Sequence, residues 1–218
     1  MDERFELIVF DWDGTLLDSA AAIVGAIQSA SRDLGLPVPD AGRARHVIGL
    51  GLADALAHAV PELAPADYPR MVERYRHHYL SNDFELSLFE GTEAMIAALA
   101  GRGQLLAVAT GKSRKGLDRA LSYTGLGRHF VATRCADECF SKPHPQMLLE
   151  LMEELGVAAE RTLMVGDTTH DLQMAAAAGV AAVAVSFGAH GRAELLACGP
   201  LACIDEPGEL RRWLGVGD

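Results

Sequence analysis

Acids stand directly behind two short apolar runs. Asp11 and Asp13 follow Leu7-Ile8-Val9-Phe10, and Asp167 and Asp171 follow Leu163-Met164-Val165-Gly166. Thr110 closes a third run, Leu105 to Ala109, and Lys142 lies in the loop Ser141-Lys142-Pro143-His144-Pro145. Three or four acids, one hydroxyl and one ammonium suit phosphoryl transfer, where the protein's task is to position the group and offset charge on its non-bridging oxygens. Acids alone would repel a phosphate. A hard divalent cation such as Mg²⁺, held by Asp11, Asp167 and a backbone carbonyl, removes that conflict, leaving Thr110 and Lys142 to hold the remaining oxygens.

These residues need a scaffold that brings strand ends together. The runs at 7–10, 105–109, 163–165 and 182–185 read as buried parallel strands, and helical spacing fills the intervals between them. Ligands on such open sheets bind beyond the carboxyl ends of the strands, where the acids fall. The fold class expected is α/β, a Rossmann-like three-layer core around a parallel sheet. About ninety residues separate the first strand from the second, against ~30 for a simple crossover. Helical spacing at 19–33, 53–60 and 66–80, broken by Pro37, Pro39, Gly49, Gly51, Pro61 and Pro65, predicts an inserted α-helical cap over 17–87. The core would then be residues 1–16 and 88–218, with a hinge near Leu17 and Leu88.

Taken together, Asp11-Trp12-Asp13-Gly14-Thr15, Thr110, Lys142-Pro143 and Gly166-Asp167-x-x-x-Asp171 resemble, in order, the four motifs of the haloacid dehalogenase superfamily. The position of the cap resembles its members with a helical C1-type insert. That resemblance implies a phosphatase in which Asp11 is the nucleophile and Asp13 first protonates the leaving oxygen, then activates water. It also implies Mg²⁺ on Asp11, the Asp13 carbonyl and Asp167, with Asp171 steadying the metal's waters or Lys142, and Thr110 and Lys142 on the phosphoryl group. A dehalogenase lacks the second acid, which here is Asp13. A phosphonatase needs a cap lysine, and residues 17–87 contain none.

The stretch Arg43-Ala44-Arg45-His46-Val47-Ile48-Gly49-Leu50-Gly51 resembles the cap loop of phosphoglycolate phosphatases, making 2-phosphoglycolate the substrate expected. Arg43 or Arg45 would pair with its carboxylate, with Gly49, Gly111 and Lys112 also near the substrate. Gly111 stands where many relatives carry Asn and would widen the pocket beside Lys112, while Trp12 replaces a smaller apolar residue. His170 reads as a loop-lining or solvated residue rather than a base, His144 as a shaper of the Lys142 loop, and the adjacent His77 and His78 as surface residues that make poor chelators. Cys135, Cys139, Cys198 and Cys203 read as free thiols.

The chain has 218 residues, half of them hydrophobic, and a net charge of −11. That is enough for one sizeable core, and the charge opposes a nucleic-acid partner. No apolar run reaches the ~18 residues of a membrane span, nor is there a signal core at the N-terminus. The reading is a cytoplasmic enzyme, monomer or homodimer, acting on a small phosphorylated metabolite. The competing readings are a phosphatase for pyrophosphate, a nucleotide or a sugar phosphate, a β-phosphoglucomutase-like phosphomutase sharing nucleophile, metal and cap, and a signalling receiver domain. The receiver leaves the ninety-residue interval and Asp13 unexplained.

Overall fold

The computed structural model describes residues 5–81 and 86–216; positions 1–4, 82–85 and 217–218 of the expected core and cap ranges lie outside the described residues. Six strands form one parallel sheet: β1 (Leu7–Phe10), β2 (Leu105–Thr110), β3 (Ala132–Cys135), β4 (Thr162–Gly166), β5 (Ala181–Val185) and β6 (Ala202–Ile204), in the order β3-β2-β1-β4-β5-β6. The four runs picked out in the sequence are the four inner strands. Their unbroken apolar character follows from burial on both faces. Ile8 and Phe10 point into one core layer and Leu7 and Val9 into the other.

The first layer is completed by α5 (Thr92–Gly101), α6 (Arg114–Thr124) and α10 (Pro207–Trp213), through Met95, Ile96, Leu99, Leu117 and Leu210. The second is completed by α7 (Gln146–Leu155), α8 (Thr169–Ala177) and α9 (Arg192–Ala197), through Met147, Leu148, Leu151, Leu172, Met174 and Leu195. This is the three-layer α/β arrangement. Trp12 is fully buried in the first layer, its ring edge-on to Phe130 at 6.3 Å. The larger side chain between the two acids therefore packs into the core.

Between β1 and β2 run α1 (Ala20–Asp33), α2 (Ala41–His46), α3 (Leu52–Ala59) and α4 (Tyr68–Ser81). On α1, Ala20, Ile23, Ile27 and Ala30 recur at three- and four-residue spacing, and they meet Leu56 of α3 and Met71 of α4 in a hydrophobic cluster separate from the sheet's two. Asp33 receives Arg74 Nε and His78 Nε2, each at 2.7 Å, which joins the end of α1 to α4 and holds the Asp33 carboxyl below its usual range. The chain leaves and rejoins the sheet as a pair. Leu17 and Leu88 form an antiparallel bridge, flanked by Asp18 N–H to Ser87 C=O at 3.0 Å and Phe89 N–H to Leu16 C=O at 3.0 Å. Among the described residues no helix is long and apolar enough to cross a membrane, and the four cysteines are unpaired thiols.

Candidate active site

The sheet order changes direction at β1, where chain connections diverge to β2 on one side and β4 on the other, and the crevice beyond these three strand ends is the expected ligand position. Asp11 follows β1, Thr110 is the last residue of β2 and Asp167 follows β4; all three are fully buried. Lys142 is brought in by the loop between β3 and α7. Its Nζ lies 2.9 Å from Asp11 Oδ1 and 2.7 Å from Asp171 Oδ1, with all three side chains shut off from solvent. The sequence motifs thus meet in one cluster.

Each acid is held differently. Asp11 Oδ1 accepts from Trp12 N–H at 2.6 Å as well as pairing with Lys142, while Asp11 Oδ2 has no hydrogen-bond partner. Asp167 accepts from the Thr15 hydroxyl at 2.8 Å and from Ala189 N–H at 2.7 Å. Asp171 uses one oxygen for Lys142 and the other for Thr168, whose N–H (3.0 Å) and hydroxyl (2.7 Å) both donate to it in the capping box that opens α8. Helix capping and lysine-steadying are one geometry here. Asp13 Oδ1 accepts from the Ser19 hydroxyl at 2.7 Å and pairs with Lys112 Nζ at 2.9 Å.

The electrostatics favour a cation. Asp11, Asp167 and Asp171 offer ligand atoms within 4.8 Å of one another, and Lys142 supplies one positive charge against three carboxylates. Burial, then the neighbouring acids, pushes Asp11 well above the usual carboxylate range, against the pull of Lys142. Burial and Asp171 push Asp167 up to about 7. A divalent ion would offset the two surplus negative charges and engage the unpartnered Asp11 Oδ2, so this donor set of hard oxygens fits Mg²⁺. The backbone is shaped for it: Gly14, at φ +82°, and Gly188 lie so close to Asp167 that a Cβ on either would collide with its side chain.

Lys112 is not free to bind an anion in this conformation. Its ammonium spans Asp13 and the Tyr79 hydroxyl of α4 at 3.0 Å. Burial opposes its charge, but Asp13 and Tyr79 outweigh it and raise the lysine above its ordinary value. Gly111 does not widen the pocket. A Cβ there would strike the carbonyls of Leu50 and Gly49, so the missing side chain makes room for that stretch of backbone. Gly49 in turn sits against Thr168, and Gly51 N–H donates to the Ser141 hydroxyl at 2.8 Å.

The carboxylate clamp expected of Arg43 and Arg45 is not formed. Both are exposed, because residues 43–46 belong to a short helix capped by Asp40, with the loop confined to 47–51, and the helix turns Arg43 Nε onto the His58 carbonyl at 3.0 Å. Neither lines the cavity beside Asp13, which Gly49, Gly111 and Lys112 do line. His170 serves the seam between α2 and the sheet. Its Nε2 lies 2.8 Å, and that of His190 3.1 Å, from the His46 carbonyl, and the His46 and His190 rings stack at 4.7 Å. Burial keeps both imidazoles below the ordinary histidine value. His144 packs on Phe140 at 4.7 Å and Nδ1 accepts from Gln146 N–H, within the Lys142 loop.

Participants that carried no assigned role in the sequence include Thr15, Ser19, Thr168, Gly188 and Ala189. Thr15 belongs to the first motif, and its spacing after Asp11 was a usable signal. The others touch the acids through folds of the chain that no local pattern announces.

A family model described as haloacid dehalogenase-like hydrolase matches residues 8–185. The probable phosphatase IndB of Dickeya dadantii is 40% identical over 91% of this chain and 89% of its own length. The tyrosine-protein kinase PtkA of Mycobacterium tuberculosis is 34% identical over 98% of this chain and 74% of its own. Among solved structures, that of a predicted phosphoglycolate phosphatase from Haemophilus somnus superposes with a TM-score of 0.86 at 26% identity, covering 97% of this chain and 98% of that one.

Proposed function

The chain belongs to the haloacid dehalogenase-like hydrolases and is a phosphoric monoester hydrolase of that family; we propose that it acts through a phosphoaspartate on Asp11, with Mg²⁺ beside it. The observation that carries this reading is Asp11 itself. It is a fully buried carboxylate at a strand end, oriented through one oxygen by Trp12 N–H and Lys142 and left with the other oxygen unpartnered.

Asp11 attacks phosphorus, the bond from phosphorus to the alcohol oxygen breaks, and that oxygen takes the proton of Asp13. In the second half Asp13 removes a proton from water, whose oxygen attacks the same phosphorus, releasing phosphate and restoring the Asp11 carboxylate. Ser19 keeps Asp13 facing the crevice between these steps. Lys142 holds Asp11 in register and stands near the transferring group, and Thr110 ends β2 beside the same crevice, its hydroxyl accepting from Lys112 N–H at 3.2 Å. Asp11 and Asp167, joined by the Asp13 carbonyl that the family resemblance adds, would hold Mg²⁺, which when bound offsets charge on the phosphoryl oxygens and the acid cluster.

The substrate expected from the sequence, 2-phosphoglycolate, draws support from the Haemophilus somnus relative but no longer from an arginine clamp. A phosphomutase would need a bisphosphate to turn over, and a kinase like PtkA a nucleotide donor. The test is phosphate release from 2-phosphoglycolate, β-glucose 1-phosphate, pyrophosphate and nucleotides, with Mg²⁺ or EDTA, for the native chain and Asp11→Asn. Acid-quenched single turnovers should retain label on the native chain and none on Asp11→Asn. Unlabelled native protein during active turnover would end the phosphoaspartate reading.

A further inference from the structure

A cavity of about 680 Å³ opens from Asp13 and Lys112, between α1, α3 and α4 on one side and α6 with the loops after β2 and β3 on the other. That falls inside the ~300–1,000 Å³ of sites for drug-sized ligands. At about 30 Å³ per water it equals about 23 waters, far more than a two-carbon acid displaces. The wall given by the helices between β1 and β2 is mostly apolar, with Ile23 and Ile27 of α1, Leu52 of α3, and Val72, Tyr75 and Tyr79 of α4, while Asp54, Arg76, Lys115, Arg119 and Asp137 also stand in the lining. The two tyrosine rings stack at 5.9 Å and 20°. At the mouth, Leu80 from α4 and Phe140 from the Lys142 loop are 40% and 66% exposed. Exposed large apolar side chains on both lips of an apolar cavity are where a ligand body would continue outward.

Resting on the phosphatase reading above, we infer that the physiological substrate is a phosphate monoester whose alcohol carries a bulky, largely apolar body. The phosphoryl group sits at Asp11 and the scissile oxygen at Asp13. The body then runs along α1 and α4 toward Leu80 and Phe140. Apolar burial in such a wall discriminates strongly, since a single methylene in an apolar pocket is worth about tenfold or more in kcat/KM.

The test compares primary alkyl esters, whose leaving alcohols are chemically alike: methyl phosphate, 2-phosphoglycolate and 4-phenylbutyl phosphate, with 5′-nucleotides as large polar comparators. The expected result is kcat/KM for 4-phenylbutyl phosphate at least about a hundredfold above methyl phosphate and 2-phosphoglycolate, and above the nucleotides. Equal or reversed preference, or nucleotides preferred, overturns the inference while leaving the phosphatase reading standing. No turnover of any ester overturns both. Leu80→Asp and Phe140→Asp alter exposed positions that folding tolerates; each should lower the phenylbutyl-to-methyl ratio at least about tenfold. A ratio unchanged in both variants removes the body from this mouth and overturns the assignment.

Discussion

Replacing Lys142 by Met keeps the length and apolar stem of the side chain and deletes its charge. Asp11 and Asp171 then lose a cation at 2.9 and 2.7 Å in a pocket with no solvent access, leaving three buried carboxylates uncompensated. Removing one partner of a buried pair costs about 3–5 kcal/mol, mostly from stranding the opposite charge. For a domain of this size, 1 kcal/mol moves Tm by about 2–4 °C, so the loss in EDTA should be about 6–20 °C. Part of the cost is avoided by protonation, since Asp11 and Asp167 already lie high, and part returns in Lys142→Met/Asp171→Asn, which removes one surplus charge with the ammonium. Thermal unfolding followed by circular dichroism, in EDTA and in Mg²⁺, measures all of these. Mg²⁺ should narrow the gap between variant and native. A Lys142→Met protein within about 1 kcal/mol of native in EDTA, or a double variant no more stable than the single, refutes the charge balance drawn for this cluster.

Asp11→Asn should abolish phosphate release yet leave the metal-free protein at least as stable as native, because it removes a carboxylate whose ionised form burial disfavours; a clear loss of Tm in EDTA contradicts this. Gly111→Ala should cost about 1–3 kcal/mol by forcing the Gly49 and Leu50 carbonyls off the sheet edge, read as lower Tm and raised KM; native values for both would mean the loop does not seat there. Saturating Mg²⁺, at about 100-fold over Kd, should stabilise by about 2.7 kcal/mol. At one fixed Mg²⁺ concentration the gain should be larger at pH 8 than at pH 6: Asp167 lies at about 7 without metal, so the metal-free fold loses stability as pH rises from the unfolded carboxylate value toward 7, and metal, which must displace the proton, binds more tightly above it. An equal gain at both pH values, by differential scanning fluorimetry, counts against carboxylate ligation.

The inner sheet and the acid positions were legible because each inner strand is a continuous apolar run that stops at a polar residue, a pattern set by burial on both faces. The edge strands β3 and β6 escaped it. Ala132-Thr133-Arg134-Cys135 is mixed, since an edge strand needs no unbroken apolar run, and Ala202-Cys203-Ile204, though apolar, is only three residues long. Helix α2 escaped because six residues with two arginines and a histidine show no apolar stripe; its start is written in the Asp40 cap, whose side chain accepts from Arg43 N–H at 2.8 Å. That single helix also sent Arg45 away from the cavity. Gly111 was read by its own size, yet its meaning lies in a backbone sixty residues earlier in the chain, which no local window contains.

The bridge between Leu17 and Leu88 places the two ends of the inserted segment side by side, about 4.5–5.5 Å apart as in any antiparallel pair. A segment joined to its host at two touching points can be exchanged as a cassette, since any replacement whose ends meet at that spacing splices in without displacing a strand. The acids at the strand ends stay put through such an exchange, while the part of the wall supplied by α1, α3 and α4 is rewritten. Selection for new substrates can therefore act on this segment while leaving the acids, Lys112 and Phe140 in place.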